Sequence, residues 1–153
     1  ERVVLTVIQR LDDTDSDVRL VAMKVLSLVA KQGDEQAVTA MVKRLEDGDQ
    51  NVRCFAVETL LRLVETGSDD VITALCRRLN DDVWYVRLMA VEALAKVAKG
   101  RDSAVAAVIE CLQDGIRNVR CAAVHSLGQI AEKGDQRAIV AITQCLNHKD
   151  SHV

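Results

Sequence analysis

Val-Arg recurs at Val18-Arg19, Val52-Arg53, Val86-Arg87 and Val119-Arg120, at intervals of 34, 34 and 33 residues. A fixed period in this range is the signature of a solenoid, in which one supersecondary unit is repeated and each copy buries the face of the next. The frame around each Val repeats as well. Four residues on stands Ala (Ala22, Ala56, Ala90, Ala123), and eight residues on stands Leu (Leu26, Leu60, Leu94, Leu127). Seven residues earlier comes another Leu (Leu11, Leu45, Leu79, Leu112), with Leu146 before Val153 extending the frame to the last residue. A Gly closes each unit at Gly33, Gly67, Gly100 and Gly134.

Within a unit the apolar residues return at three- and four-residue steps, which predicts helices. Val38, Met41, Val42 and Leu45 form the stripe of a first helix, matched by Ile72, Leu75, Cys76 and Leu79. Val52, Phe55, Ala56, Thr59, Leu60 and Leu63 form that of a second. Asp15 and Asp49, in the polar turns between them, are placed to cap the second helices. The closing Gly fits a left-handed helix C-cap. Apolar residues at further positions of the second helix, such as Leu20, Met23, Val57 and Val91, widen its arc, so it must be covered by its own partner and by neighbouring units. Helix formers dominate the composition: 49% of residues are hydrophobic, only 2% are aromatic, and there is no Pro.

An Asp stands six residues before each Arg of the frame: Asp13 and Arg19, Asp47 and Arg53, Asp81 and Arg87, Asp114 and Arg120. A two-helix unit with this pair across its turn, and Val-Arg opening the second helix, resembles the HEAT-repeat family. The resemblance spans the whole chain and is closest to compact repeats of the bacterial and phycobilin-lyase type. It implies an all-α, right-handed α-solenoid of about four hairpins plus one extra first helix. It also implies that the Asp and Arg residues form a ladder of hydrogen bonds between turns of stacked units. A tetratricopeptide array shares the period but expects aromatic positions and a Pro, and armadillo units are longer with a third helix. The expected organisation is a single array over 1–153, with units near 1–33, 34–67, 68–100 and 101–134 and a partial unit at 135–153. It reads as a segment of a longer array, since neither end has the polar outer face of a capping unit.

Candidate chemistry is sparse. Cys145, His148 and His152 have ligand-like spacing, but a structural zinc site takes four ligands, and both His fall at turn positions of the frame. No metal and no cofactor is expected. The five Cys include no CxxC pair, and most sit in apolar helical runs, which suits buried, reduced thiols in a reducing, cytoplasmic setting. Cys111 and Cys145 share a frame position in adjacent units, too far apart to bridge if helices pack at about 8–10 Å. No apolar run approaches the ~18 residues of a membrane span. The net charge of −3 speaks against a general nucleic-acid binder.

Binding surfaces are better represented. Six, ten and thirteen residues after the frame Val, the second helices carry a polar stripe that in HEAT arrays lines the concave surface. It includes Lys24, Glu58, Arg62, Glu92, Lys96, His125 and Gln129. On the first helices Arg10, Lys43, Arg44, Arg77 and Arg78 gather near the C-termini, where cations suit the helix dipole. Trp84 and Tyr85 stand where the sister units have Ser16 and Asp17, Gln50 and Asn51, and Arg117 and Asn118. They are either an entry cluster packed on the neighbouring turn or an exposed aromatic anchor. The expected function is a non-catalytic protein-interaction scaffold presenting an extended concave surface to protein partners. The alternatives are a tetrapyrrole-handling protein resembling bilin lyases and a structural spacer arm, with end-to-end self-association open to a truncated array. A likeness to alkylpurine DNA glycosylases fits poorly, because a basic, aromatic-lined cleft is missing.

Overall fold

The computed structural model describes residues 2–147, and among these every regular element is helical. Nine α-helices alternate as first and second helices. The first helices are α1 (Arg2–Gln9), α3 (Glu35–Arg44), α5 (Asp69–Arg78), α7 (Asp102–Glu110) and α9 (Gln136–Asn147). The second helices are α2 (Ser16–Val29), α4 (Gln50–Leu63), α6 (Trp84–Val97) and α8 (Arg117–Ile130), each 14 residues long. The fold is all-α and of the α-solenoid class. The chain divides into two compact units between Val71 and Ile72, within α5.

In the first unit α1 pairs with α2 and α3 with α4, while α2 packs on α4 and α1 on α3. In the second, α7 pairs with α8, α6 packs on α8 and α7 on α9. Within each unit, neighbouring hairpins are thus held by contacts of first helix on first helix and of second on second. The frame residues supply the core. Leu26, Ala56, Leu60, Ala90, Leu94, Ala123 and Leu127 are all buried. Both α1 and α7 end in a 3-10 turn, at Arg10–Asp12 and Cys111–Gln113.

Local chemistry explains the starts of the second helices. Asp15 accepts from the Asp17 N–H, and Asp49 accepts from those of Asn51 and Val52. At α6 and α8 the corresponding residues are Val83 and Ile116, which offer no side-chain cap.

The closing glycines do something other than the expected capping. The caps of α2, α6 and α8 are Ala30, Ala98 and Ala131, and Gly33, Gly100 and Gly134 follow in a separate left-handed turn with φ of 80°, 71° and 90°. From that turn the Gly33 N–H donates to the Leu63 carbonyl at 2.8 Å, and the Gly100 N–H donates to the Ile130 carbonyl at 2.8 Å. Leu63 and Ile130 are the last residues of the next unit's second helix, where carbonyls lack intrahelical donors. The glycine therefore joins one repeat to the end of the next, and it takes the left-handed φ of this turn without the steric cost that a side chain would bring.

The wide apolar arc expected to be covered is partly open in α2. Val21, Val25 and Leu28 are exposed, and Val18 is more than a third exposed, whereas Val52, Val86 and Val119 at the same frame position are fully buried. Of the second helices in its unit only α4 packs against α2, which leaves this side of α2 to solvent.

One buried hydroxyl distinguishes equivalent sites in the two units. Ser126, in α8, donates to the Val91 carbonyl of α6 at 3.0 Å. Thr59, at the same frame position in α4, is 1% exposed and its Oγ1 has no partner. A buried hydroxyl without a bond costs about 1–3 kcal/mol. Thr59→Val, which keeps the shape and removes the polar atom, should therefore raise stability by about 1 kcal/mol, whereas Ser126→Ala should lower it. Urea unfolding of the two variants checks the pair of signs.

Candidate functional site

The Asp and Arg residues of the turns share one geometry throughout the described chain. Arg19, Arg53, Arg87 and Arg120 each donate from Nη1 to the backbone carbonyl of the Asp six residues earlier, at 2.8–3.0 Å. The Asp carboxylates fold back as Asx turns: Asp13, Asp47, Asp81 and Asp114 accept the N–H two residues on, from Asp15, Asp49, Val83 and Ile116. The six-residue spacing is therefore the reach of a guanidinium across its own turn. Its other edge points to the next repeat. Arg19 meets Asp47 at 2.7 Å, and Arg87 grips Asp114 with two bonds, Nε to Oδ2 at 2.7 Å and Nη2 to Oδ1 at 3.0 Å. Arg87 thereby holds the Asp114 carboxyl below the usual carboxylate range, and Asp114 in turn raises Arg87.

A second arginine takes part, from the basic cluster near the C-termini of the first helices. Arg44 donates to the Leu11 carbonyl at 2.7 Å, to Asp12 at 3.0 Å and to Asp47 at 3.4 Å, and Arg78 pairs with Asp81 at 3.2 Å. The signal was present as Arg-Leu-x-Asp at residues 10–13, 44–47 and 78–81. Lys43 adds an exposed bond to Asp12 at 2.7 Å, which lowers the Asp12 carboxyl.

The polar stripe of the second helices lies on their solvent side. In the first unit Lys24, Glu58 and Arg62 are exposed, and in the second Glu92, Lys96, His125 and Gln129 are exposed. The last four converge on one groove of about 550 Å³ between α6 and α8. Leu88 and Ala95 from α6, with Cys121 and Ala122 from α8, supply its apolar side chains. Polar groups around them include Asn118, and the His125 ring nitrogen Nε2 lies 2.8 Å from Gln129 Nε2. Trp84 is 41% exposed and Tyr85 half-buried, with ring centroids 5.9 Å apart in a T-shaped contact. Trp84 stands four residues before Leu88 and eight before Glu92, on the groove-facing side of α6.

Two other clefts offer less. One of about 260 Å³ near Gly100 and Gly134 contains Arg137, which is already held by Asp102 at 2.6 Å and Asp135 at 2.9 Å. Another of about 350 Å³ is lined by Cys76, Cys111, Arg87 and Asp114. Burial raises both thiols, Cys111 to about 11, which leaves it protonated and a poor nucleophile at neutral pH. None of the five cysteines is in a disulfide, and only Cys111 and Cys145 are buried; Cys54, Cys76 and Cys121 are half-exposed. The half-exposure follows from their places at the edges of the helical stripes. Among the described residues no group of three or more His, Cys, Asp and Glu could hold a metal ion, and His148 and His152 lie outside those residues. No helix among them is long and apolar enough to cross a membrane.

Stacked two-helix units joined by arginine-aspartate turns define a helical repeat protein. A family model described as HEAT repeats matches residues 4–95 and 78–153, and the chain belongs to the HEAT-repeat family. It is also similar to a solved structure, the crystal structure of an engineered protein that was a Northeast Structural Genomics Consortium target. The two are 26% identical with a TM-score of 0.65, over 97% of this chain and 73% of that one. No curated protein matches the chain.

Proposed function

We propose that this helical repeat scaffold is a non-catalytic protein-binding module whose contact face is the exposed side of its second helices. The observation that carries this reading is the convergence of Glu92, Lys96, His125 and Gln129 on a groove with an apolar floor, beside an exposed Trp84. Apolar floor, polar rim and a neighbouring aromatic are the anatomy of a recognition surface. In the first unit the exposed Lys24, Glu58 and Arg62 are the corresponding contact residues of α2 and α4. The turn residues Asp13, Arg19, Asp47, Arg53, Asp81, Arg87, Asp114 and Arg120 serve it indirectly, by bracing the turns and, through Arg19 with Asp47 and Arg87 with Asp114, by holding neighbouring repeats together within each unit. The partner is a protein in a reducing, cytoplasmic compartment.

Trp84→Ala should weaken partner binding by about 2 kcal/mol, roughly thirtyfold, because a half-exposed aromatic at the edge of a groove is the type of residue that anchors interfaces. Its melting temperature should stay nearly constant. Isothermal titration beside a thermal melt separates the outcomes: a large drop in melting temperature with binding intact assigns the ring to packing.

A further inference from the structure

The second helices are built to receive one another on one face. On α4 that face carries Val52 and Thr59, and on α8 it carries Val119 and Ser126, none more than 1% exposed. The preceding second helix lies on it in both units, α2 on α4 and α6 on α8, and the Ser126 hydroxyl marks the direction by bonding the Val91 carbonyl of α6. On α2 the same frame positions are Val18 and Val25, each more than a third exposed, and the stripe is completed by Val21 at 58% and Leu28 at 77%. The first helix repeats the contrast: Val3 is 60% exposed, whereas Ala37, Ala104 and Ala138 at its frame position are buried. A face shaped to take a second helix is thus open across both helices of the first hairpin, and contiguous apolar faces of this kind mark interaction sites.

Two properties of this face fit a second copy of itself. The stripe Val18, Val21, Val25 and Leu28 has spacings of three, four and three residues, the same from either end. An antiparallel copy therefore sets Val18 against Leu28 and Val21 against Val25, over about 15 Å of helix. Charge follows the same symmetry. The turn end of the hairpin holds Asp13, Asp15 and Asp17 against Arg10, whereas the far end holds Lys31 and Arg2, with Glu1 outside the described residues. Asp17 and Lys31 are both exposed, and neither is in an ion pair among the described residues. Asp34 and Glu35 follow Lys31 but belong to α3, which packs on α1 and α4 in the next repeat, away from this face. Antiparallel copies bring the acidic end of each against the basic end of the other, while parallel copies oppose like to like. Lys24, near the midpoint, meets its own counterpart, and its long stem lets the ammonium stay in solvent. We infer that the α1–α2 face pairs two copies of this chain as an antiparallel, two-fold dimer centred on Val21 and Val25. A hairpin face about 21 Å long and 20 Å wide is at the small end of specific interfaces, so the dimer is of micromolar strength. The pairing does not rest on the proposed partner contact of the second helices.

Sedimentation velocity of the full chain from about 1 to about 100 µM should show a shift from monomer to dimer. Val21→Lys with Leu28→Lys, both at exposed positions and checked for native circular dichroism, should leave a monomer at every concentration. Asp17→Lys and Lys31→Asp should each weaken the dimer about fivefold, and the two together should restore it, because each pair then re-forms with its signs exchanged. A parent chain that stays monomeric, or a Val21→Lys, Leu28→Lys chain that still dimerises, overturns the assignment. Association beyond the dimer points to end-to-end stacking and overturns it as well. A charge-exchanged double variant no tighter than the single variants overturns the antiparallel pairing.

Discussion

A Leu94→Ala variant should lose about 3 kcal/mol of stability, the largest effect expected of any single truncation in the second unit. Leu94 is fully buried on α6, which packs against α8, and it holds the frame position shared by Leu26, Leu60 and Leu127. Shortening it removes the transfer energy of its carbons and leaves a cavity that two rigid helices close only in part. Repeat proteins transmit such a loss to nearest neighbours rather than to the whole molecule. Trp84, the only Trp, starts the same helix, so its fluorescence should report unfolding of α6 at lower urea. Far-UV circular dichroism should show an earlier or broadened transition. A loss under about 1 kcal/mol would mean that the frame Leu is not the centre of the stack.

The next largest effect belongs to the turns. Asp114→Ala should cost about 2–3 kcal/mol, because it leaves the largely buried Arg87 guanidinium without two charged bonds and frees the Ile116 N–H. Asp47→Ala should cost less at its inter-repeat bond: Arg19 makes only one bond to Asp47, and the Arg19 Nε has no partner. A double-mutant cycle on Arg87 and Asp114 isolates the coupling. The pH dependence has a defined sign. The folded Asp114 carboxyl lies below its ordinary value, so its contribution is complete above the unfolded carboxyl value of about 3.9. It is lost as pH falls through the lower folded value. Asp114→Asn should therefore be destabilised at neutral pH and lose less than the parent chain on acidification below about pH 4, as followed by urea midpoints.

Repetition makes most of the fold legible in the sequence. A 34-residue period carrying Val, Ala and Leu at fixed offsets can bury those residues only by stacking helical pairs. Each second helix begins two residues before the frame Val, at Ser16, Gln50, Trp84 and Arg117. Less legible was whatever depends on a partner distant in sequence. Gly33 and Gly100 look like helix caps because a local window shows only the helix before them, while their amides serve Leu63 and Ile130, 30 residues on. Arg44 looks like a dipole partner for the same reason, and its bond to the Leu11 carbonyl spans 33 residues. The exposure of Val21, Val25 and Leu28 was not legible either, since the pattern says that a stripe is apolar and not whether a neighbour covers it. For the contact face, the frame identified Trp84 and Tyr85 as departures from polar positions. The structure separates them, with Trp84 exposed and Tyr85 half-buried in a T-shaped contact with it. The groove beside them needed two helices from different repeats, which no single stretch of sequence contains.

Partners are expected to be held by the exposed side of the second helices. The direct measurement is affinity capture from the native source with the parent chain and with a Glu58→Lys, Glu92→Lys double variant. Both positions are exposed, so the variant should keep its fold and melting temperature. The principal captured protein should be lost or strongly reduced with the variant. The same protein captured in the same amount by both would contradict it and move the contact face elsewhere.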